Sequence, residues 1–332
     1  MIKHISVLEQ SVAVAGREQA ASIQDALKLA TVCESYGYRR FWVSEHHSHA
    51  SIVGSAPEVL MAGIAGVTKT IRIGSAGVML PHYSTFKVAE QFRVLDALAP
   101  GRIDLGVGRA PGSDYRTAQL LNPDPRSAEK FPQQISDLDH WINNVEFAEG
   151  HPARGVPAFP TSSTAPDLWI LGSSDYGAQV AAHFGLPYAF AHFITDGKDT
   201  KEALDLYRSR FQESIHRKMP DPLVCIWALV AETEEEAWRQ FESRIRWRMD
   251  RNLGRIGPLL SPEEAPREYN FSEQAQIAQL KENAFVGTAD QVAKKLNQFS
   301  EDVGIEEVVV ITWAHDFNVR TNSYRLLAQA LI

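Results

Sequence analysis

The sequence of 332 residues predicts an α/β fold, a closed (β/α)8 TIM barrel formed by residues 1–332 as a single domain. The main observation is that short apolar runs alternate eight times with longer segments whose apolar residues recur at helical spacing. A second observation is that small, polar or charged residues follow these runs, such as Glu45 and Gly108. A barrel of about 250 residues with insertions at its C-terminal rim accounts for the length. No shift in composition favours a division into two domains.

Eight apolar runs predict the strands. Several contain no polar residue in their centre, which indicates strands buried on both faces of a parallel sheet. The predicted strands are 2–8, 40–44, a run that begins at 71, 102–107, 167–171, 186–191, 223–231 and 307–312.

Helices are predicted where apolar residues recur every three or four positions. Gly37 follows the first helix and Pro100-Gly101 follows the third, and both are typical signals for the end of a helix. The predicted helices are 20–36, 59–67, 86–98, 132–147, 176–184, 199–214, a helix that starts at 232–236, 291–301 and 322–330.

Two segments lack regular periodicity, 110–131 and 254–284, and we expect both to be insertions at the rim. The second is the candidate for a mobile lid. Residues 244–255 are locally basic, and the preferred interpretation is the solvated end of a helix, with a binding patch as the alternative.

Composition limits the classes of function. The chain is 44% hydrophobic and 22% charged, with a formal net charge of −8 and scattered cations, so a nucleic-acid partner is not expected. Cys33 and Cys225 have no metal-ligand spacing and are interpreted as buried apolar residues. With no predicted signal peptide or membrane span, we expect a cytoplasmic protein.

All strands of a parallel barrel end at one rim, so residues that follow them converge on a common pocket. Arg109, between glycines after the fourth strand, is placed to hold an anion, although it could equally cap a loop. Ser173 and Ser174 precede a helix, where free N–H groups favour an anion. The other rim residues are Glu45, His46, Ala76, Gly77, Gly108 and His192, and Gln10 and Trp313 are further candidates.

Four motifs resemble those of the bacterial luciferase-like flavin-dependent monooxygenases. They are FWVSEHH at the second strand, GSAGVMLPH at the third, GRIDLGVGRAPG at the fourth and LGSS at the fifth. Each motif is weak alone, but their order and spacing match over nearly the whole chain.

The resemblance implies roles for individual residues. Ala76-Gly77 matches a cis peptide beneath the flavin ring, and Glu45 matches a residue near the ring and ribityl chain. Arg109 and Ser174 match the groups that hold the FMN 5′-phosphate, with Gly108, Ser173 and Tyr176 beside them. His46 matches the proposed catalytic histidine, although it could also be a rim histidine without a chemical role.

There are two departures from the family pattern. The luciferases have a reactive cysteine where this chain has Gly108, so light emission is not expected. Tyr176 and Gly177 stand where some relatives offer hydroxyl groups, which shifts phosphate binding towards backbone N–H groups.

The resemblance implies an FMN-dependent monooxygenase that uses reduced FMN and O2 on a small organic substrate, and it implies a homodimer. No G-x-G-x-x-G element is present, so a separate NAD(P)H:flavin reductase is the expected partner. The alternatives are a deazaflavin-dependent oxidoreductase and a non-catalytic flavin-binding protein. A metal-dependent hydrolase, suggested by His47, His49, His192 and His315-Asp316, is disfavoured because the fifth strand ends in Gly-Ser-Ser and supplies no ligand. No metal site is predicted, and the sequence does not identify the substrate.

Overall fold

The computed structural model describes all 332 residues and contains a closed barrel of eight parallel strands. The predicted fold class is confirmed, and each predicted strand is present. The barrel strands are β1 (His4–Glu9), β2 (Arg40–Val43), β3 (Arg72–Ser75), β5 (Ile103–Gly108), β6 (Asp167–Gly172), β7 (Tyr188–Phe190), β8 (Pro222–Val230) and β10 (Glu307–Ile311).

The barrel closes because β10 pairs with both β1 and β8. The other barrel strands pair with their neighbours in chain order, all in parallel. Two short strands lie outside this ring: β4 (Val78–Met79) extends the edge of β5, and β9 (Phe285–Gly287) pairs with the end of β8. Neither was predicted, since each is too short to give a periodic signal.

Helices surround the barrel and bury their apolar faces against the strands. Their bounds are α1 (Gln19–Ser35), α2 (Pro57–Val67), α3 (Thr85–Leu98), α4 (Tyr115–Leu121), α5 (Phe131–Asn143), α6 (Asp175–Phe184), α7 (His192–Thr195), α8 (Thr200–Arg210), α9 (Glu234–Asn252), α10 (Phe271–Asn283), α11 (Ala289–Val303) and α12 (Phe317–Leu331). None of them combines sufficient length with sufficient apolar character to cross a membrane.

Polar side chains fill the amino-terminal end of the barrel interior. Asp104 accepts hydrogen bonds from Arg40 at 2.8 Å and from Arg72 Nε at 2.9 Å, and Trp42 Nε1 donates to it at 2.8 Å. Arg40 also donates to Glu307 at 2.9 Å. The paired charges are buried with their hydrogen bonds satisfied, as burial of ions requires. This end of the barrel is therefore closed by an ion cluster.

Towards the other end the interior is aromatic. Trp42, Trp169, Trp227 and Trp313 belong to one buried apolar cluster inside the barrel, and the side chain of Ala76 packs against it. This cluster is the floor beneath the carboxyl ends of the strands.

The two expected insertions are more regular than the sequence suggests. Segment 110–131 contains α4, and segment 254–284 contains α10. Leu259 forms a bridge with Val14, and the hydroxyl of Ser51 donates to the carbonyl of Gly257 at 2.5 Å. The second segment is thus attached to the loops that follow β1 and β2, and it lies at the mouth of the barrel.

Candidate active site

The carboxyl ends of β5 and β6 bring the predicted phosphate-binding residues to the same end of the barrel. In this parallel pair Val107 lies opposite Ile170, so the residues that follow each strand leave the sheet side by side. Gly108 is the buried last residue of β5, and Arg109 follows it. Ser173 and Ser174 follow β6.

Arg109 lies over the ring of Tyr176. The guanidinium carbon is 3.8 Å from the ring centroid, a cation–π contact, and the side chain is exposed and forms no ion pair. The hydroxyl of Ser174, the N-cap of α6, accepts no hydrogen bond from the helix N–H groups. A free guanidinium therefore lies near the uncapped start of a helix, a combination suited to an anion.

The peptide bond between Ala76 and Gly77 is cis. A Cβ atom at Gly77 would lie 2.3 Å from Leu171 Cδ1 and 2.8 Å from the carbonyl oxygen of Gly106. Only glycine fits at this position between β3 and β6. The tight packing holds the backbone of Ala76-Gly77 directly above the aromatic floor.

Glu45 is buried, and both of its carboxylate oxygens have partners within the protein. Oε1 lies 2.7 Å from Nε2 of His47 and accepts a 2.8 Å hydrogen bond from the hydroxyl of Tyr83, while Oε2 accepts from the Met79 N–H at 3.2 Å. Burial and the nearby Glu45 carboxylate raise the pKa of Tyr83, which keeps its hydroxyl protonated as a donor. Glu45 thus ties the exit of β2 to β4.

His46 is partly buried beside this network. Its Nδ1 lies 3.3 Å from the hydroxyl of Ser44, and its ring meets that of His49 edge to face. Burial lowers the pKa of His46 to about 4, and His49, His47 and the cationic Arg251 add to this effect. The imidazole is therefore neutral near pH 7. It can accept a proton transiently, but it does not carry one at equilibrium.

Three other histidines near the strand exits, His49, His192 and His315, have hydrogen-bond partners within the protein. His49 Nδ1 accepts hydrogen bonds from the N–H groups of Ser51 and Ile52, so this side chain orders its own loop. His192 Nδ1 lies 2.9 Å from the Thr200 hydroxyl, and His315 Nε2 lies 3.2 Å from a backbone carbonyl. No three His, Cys, Asp or Glu side chains come close enough together to hold a metal ion.

Helix α9 contributes residues that the sequence did not reveal as part of the site. The expectation that residues 244–255 form a solvated helix end is wrong for Arg244, which is 2% exposed and lies over the Trp227 ring. Trp247 Nε1 donates to Ser51 at 2.8 Å, and its ring packs against Trp313. The i, i+3 spacing of Arg244 and Trp247 places both side chains on one face of the helix, and this could have indicated that they share a buried environment. The positive charge of the segment instead favoured its interpretation as solvent-exposed.

Two buried polar atoms at strand exits have no partner within the protein. They are Oε1 of Gln10, after β1, and Nε1 of Trp313, after β10. Buried polar groups are normally hydrogen-bonded, so these two atoms are candidate contacts for a polar ligand at the mouth.

The family of the chain follows from comparison with known proteins. Residues 4–307 match the model of the luciferase-like monooxygenases. This chain belongs to that family, and it is an oxidoreductase of the TIM-barrel type.

Several relatives match this chain over nearly their whole length. An uncharacterized protein, YwcH of Bacillus subtilis, is 42% identical, with 98% of each chain covered. N-acetyl-S-alkylcysteine monooxygenase of the same organism is 35% identical, with 99% of this chain and 98% of the relative covered. The crystal structure of apo-MsnO8 superposes with a TM-score of 0.88 at 35% identity, covering 99% of this chain and 98% of the other.

Two more distant structures share the fold. The oxygenating constituent of 3,6-diketocamphane monooxygenase from Pseudomonas putida, in complex with FMN, has a TM-score of 0.73 at 19% identity and covers 99% of this chain and 97% of its own. An F420-dependent secondary alcohol dehydrogenase has a TM-score of 0.71 at 16% identity, with both chains covered completely. The fold therefore accommodates either type of flavin cofactor.

Proposed function

We propose that this protein is an FMN-dependent monooxygenase that uses reduced FMN and O2 to oxygenate a small organic substrate. The observation that supports this most directly is the free Arg109 guanidinium, stacked on Tyr176 beside the uncapped start of α6. A phosphate monoester needs this combination of a planar cation and backbone N–H donors.

The residues at the mouth fit FMN in three respects. The Arg109 guanidinium and the N-terminus of α6 offer donors to the 5′-phosphate, supported by the hydroxyls of Ser173 and Ser174. The backbone at Ala76-Gly77 offers a surface without bulky side chains to one face of the ring. The unpartnered Oε1 of Gln10 and Nε1 of Trp313 offer a polar acceptor and donor near the mouth.

When bound, reduced FMN supplies the two electrons that convert one oxygen atom of O2 to water while the other atom enters the substrate. The protein has three tasks around that chemistry. Arg109 and α6 hold the cofactor, the aromatic floor and α9 keep water out, and the neutral imidazole of His46 accepts and returns a proton at a ring nitrogen. Glu45, whose oxygens already have partners, acts in this proposal by holding the β2 exit in place.

The proposal includes two partners. Reduced FMN comes from a separate NAD(P)H:flavin reductase in the cytoplasm, since this chain has no dinucleotide-binding motif. The second partner is another copy of this chain, docked through barrel helices. The exposed apolar residues of α2 and α3 support this, and they are Val59, Val67, Val94 and Leu98.

The decisive experiment measures binding and turnover separately. Purified protein is titrated with reduced FMN and with reduced deazaflavin, and an NADH-coupled reductase then supplies reduced FMN in the presence of aldehydes, sulfonates, ketones and S-alkylcysteine derivatives. We expect tighter binding of reduced FMN, and substrate-dependent oxygen incorporation measured by mass spectrometry with 18O2.

Three results would change the assignment. Selective binding of the deazaflavin would favour the hydride-transferring alternative. FMN binding without oxygen incorporation for any substrate class would favour the non-catalytic alternative. Stoichiometric zinc without flavin affinity would exclude both flavin proposals.

A further inference from the structure

A buried cation without a counter-ion lies at the barrel mouth. The side chain of Arg244 is 2% exposed, it forms no ion pair, and its Nε and Nη1 atoms have no hydrogen-bond partner. Burial of an ion is strongly unfavourable unless another charge or a set of polar groups compensates for the lost water. Arg244 therefore has N–H donors without partners, in a position that is almost completely shielded from solvent.

Aromatic rings compensate for part of this cost. The guanidinium carbon lies 4.1 Å from the Trp227 ring centroid and 5.5 Å from that of Phe241. Such contacts stabilise the charge over the ring face, but they leave the N–H groups at the edge of the guanidinium unbonded. Those edge donors are the groups that bind a carboxylate.

Arg244 borders a cavity at the exits of β7 and β8. The cavity is lined mainly by apolar side chains, with four polar residues among them, and the lining includes His192, Phe193, Asp196, Trp227 and Phe285. The ring of Phe193 meets Trp227 edge to face, and both side chains belong to or pack against the aromatic floor that also contacts Ala76. The cavity therefore borders the aromatic floor beneath the candidate flavin site.

The nearby charges favour a singly charged ligand. Asp196, the one carboxylate in the lining, is paired with Arg248. Burial lowers the pKa of Arg244 to about 9; Asp196 opposes this effect, and the positive charges of Arg248 and Arg251 add to it, so Arg244 remains protonated at pH 7. Arg244 is the one cation in the lining, and a dianion would place its second charge near Asp196.

Helix α9 connects this cation to the proposed reaction centre. Arg244, Trp247 and Arg251 lie on one helix face, and seven residues of helix separate the two arginines by about 10 Å. Trp247 Nε1 donates to the hydroxyl of Ser51 at 2.8 Å, and the N–H of Ser51 donates to His49, whose ring meets that of His46 edge to face. A molecule anchored at Arg244 would therefore lie on the side of the mouth where α9 packs against the loop of His46.

We infer that Arg244 binds the carboxylate of the organic substrate, so that the substrate is a monoanionic acid with an apolar body. This inference rests on the proposed monooxygenase function, whose site it extends to a second anion-binding group separate from Arg109.

The test uses the full chain, with and without bound FMN, and n-alkanoates of two to ten carbons beside the matching neutral alkanamides. Calorimetric titration of the wild type should show at least one alkanoate binding about tenfold or more tightly than its amide, because charge-assisted hydrogen bonds are lost in the amide. The Arg244→Met variant should lose that preference and keep its affinity for the amide. Arg239→Met is the matched control, since Arg239 is on the same helix but exposed and paired with Glu236 and Glu263.

Arg244→Lys is the second variant, which keeps the charge and changes the planar donor geometry. We expect it to bind the alkanoate more weakly than the wild type and still more tightly than the amide. Its melting temperature, and that of Arg244→Met, should not fall below the wild-type value by more than the Arg239→Met control does.

Several outcomes would overturn the inference: equal binding of acid and amide, no binding of any alkanoate, or a preference that survives Arg244→Met. A fall in melting temperature for both Arg244 variants, with an unchanged acid preference in Arg244→Met, would assign the residue to packing. If Arg244→Met weakened FMN and not riboflavin, the residue would instead hold the cofactor phosphate. Failure of this inference can be distinguished from failure of the proposed function. A chain that binds no FMN but selects alkanoates through Arg244 would contradict the proposed function and still support the anion-binding site at Arg244.

Discussion

The guanidinium of Arg109 and the ring of Tyr176 are stacked, with 3.8 Å between the guanidinium carbon and the ring centroid. These residues are 67 positions apart in the chain and meet because β5 and β6 are neighbours in the barrel. The contact orients the guanidinium and leaves its N–H edge free.

Replacement of Arg109 by Met should weaken FMN binding with little effect on riboflavin, which lacks the phosphate. The loss of charge-assisted hydrogen bonds is worth about 2 kcal/mol, roughly a 30-fold increase in the dissociation constant. Fluorescence titration of both flavins measures this. Arg116→Met, at an exposed arginine of α4, is the control, and an equal loss for both flavins would contradict a phosphate-specific role.

Replacement of His46 by Ala should lower turnover of an oxygenated substrate by about 100-fold or more, within the range for general acid–base groups. FMN affinity should stay within about twofold of the wild type, because the proposed role is proton transfer and not cofactor binding. Single-turnover kinetics under 18O2 separates the two effects. His315→Ala serves as the matched histidine control, and a parallel loss of FMN affinity in His46→Ala would argue against the assigned role.

Stability should fall as the pH drops from about 6.5 to about 4. Burial lowers the pKa of both His46 and His192 to about 4, whereas an unfolded histidine titrates near 6.5. In that interval the unfolded chain takes up protons that the folded chain does not, so acidification favours unfolding. Melting temperatures from pH 7.5 to 4.5 should show a smaller decrease in a His46→Gln, His192→Gln double variant. An unchanged slope would mean that other groups control the acid response.

Two glycine substitutions should have opposite effects. At Gly106 a Cβ atom would lie 2.1 Å from the carbonyl oxygen of Ser75, so Gly106→Ala should destabilise the barrel by several kcal/mol or prevent folding. At Gly66, near the end of α2, a Cβ atom has no neighbour within 4 Å, and Gly66→Ala should stabilise the helix by about 0.5–1 kcal/mol. Urea unfolding tests both, and a stable Gly106→Ala protein would disprove the close packing of β3 on β5.

Removal of the Glu45 carboxylate should cost more stability than removal of one of its donors. Glu45→Ala leaves the Met79 N–H without its acceptor, at about 1–3 kcal/mol, and leaves the Tyr83 hydroxyl with only the more distant Nε2 of His47 at 3.2 Å. Tyr83→Phe removes one donor to the carboxylate for about 1 kcal/mol. Free energies of unfolding for the two single variants and the double variant measure the coupling. Equal costs for the two single variants would show that the carboxylate is not the centre of this network.

The sequence predicted the barrel well because its signals are local. Each strand is a short apolar run and each long helix has a periodic apolar face, so the existence, type and order of these elements could be predicted. The predicted helix bounds differ from the observed ones by a few residues. Helix α10 was missed, since its buried positions include only Glu273 and Leu280 and give no clear stripe. Helix α4 has no buried residue at all.

The site was only partly predictable for a different reason. Residues immediately after strands converge by topology alone, so Arg109 and Ser174 could be placed at one end without coordinates. Arg244 could not, because its burial depends on how the middle of α9 packs over Trp227, a contact between distant parts of the chain. In the same way, no pattern in FWVSEHH showed that the Glu45 carboxylate would be occupied by Tyr83 and Met79.

The ion cluster around Asp104 determines from which end of the barrel a ligand can approach. Arg40 and Glu307 belong to the paired side chains that fill the amino-terminal end of the barrel, so the carboxyl-terminal end, which α9 borders, is the side available to a ligand. A molecule that binds at the candidate site would therefore enter and leave on the side of α9 and of the segment 254–284.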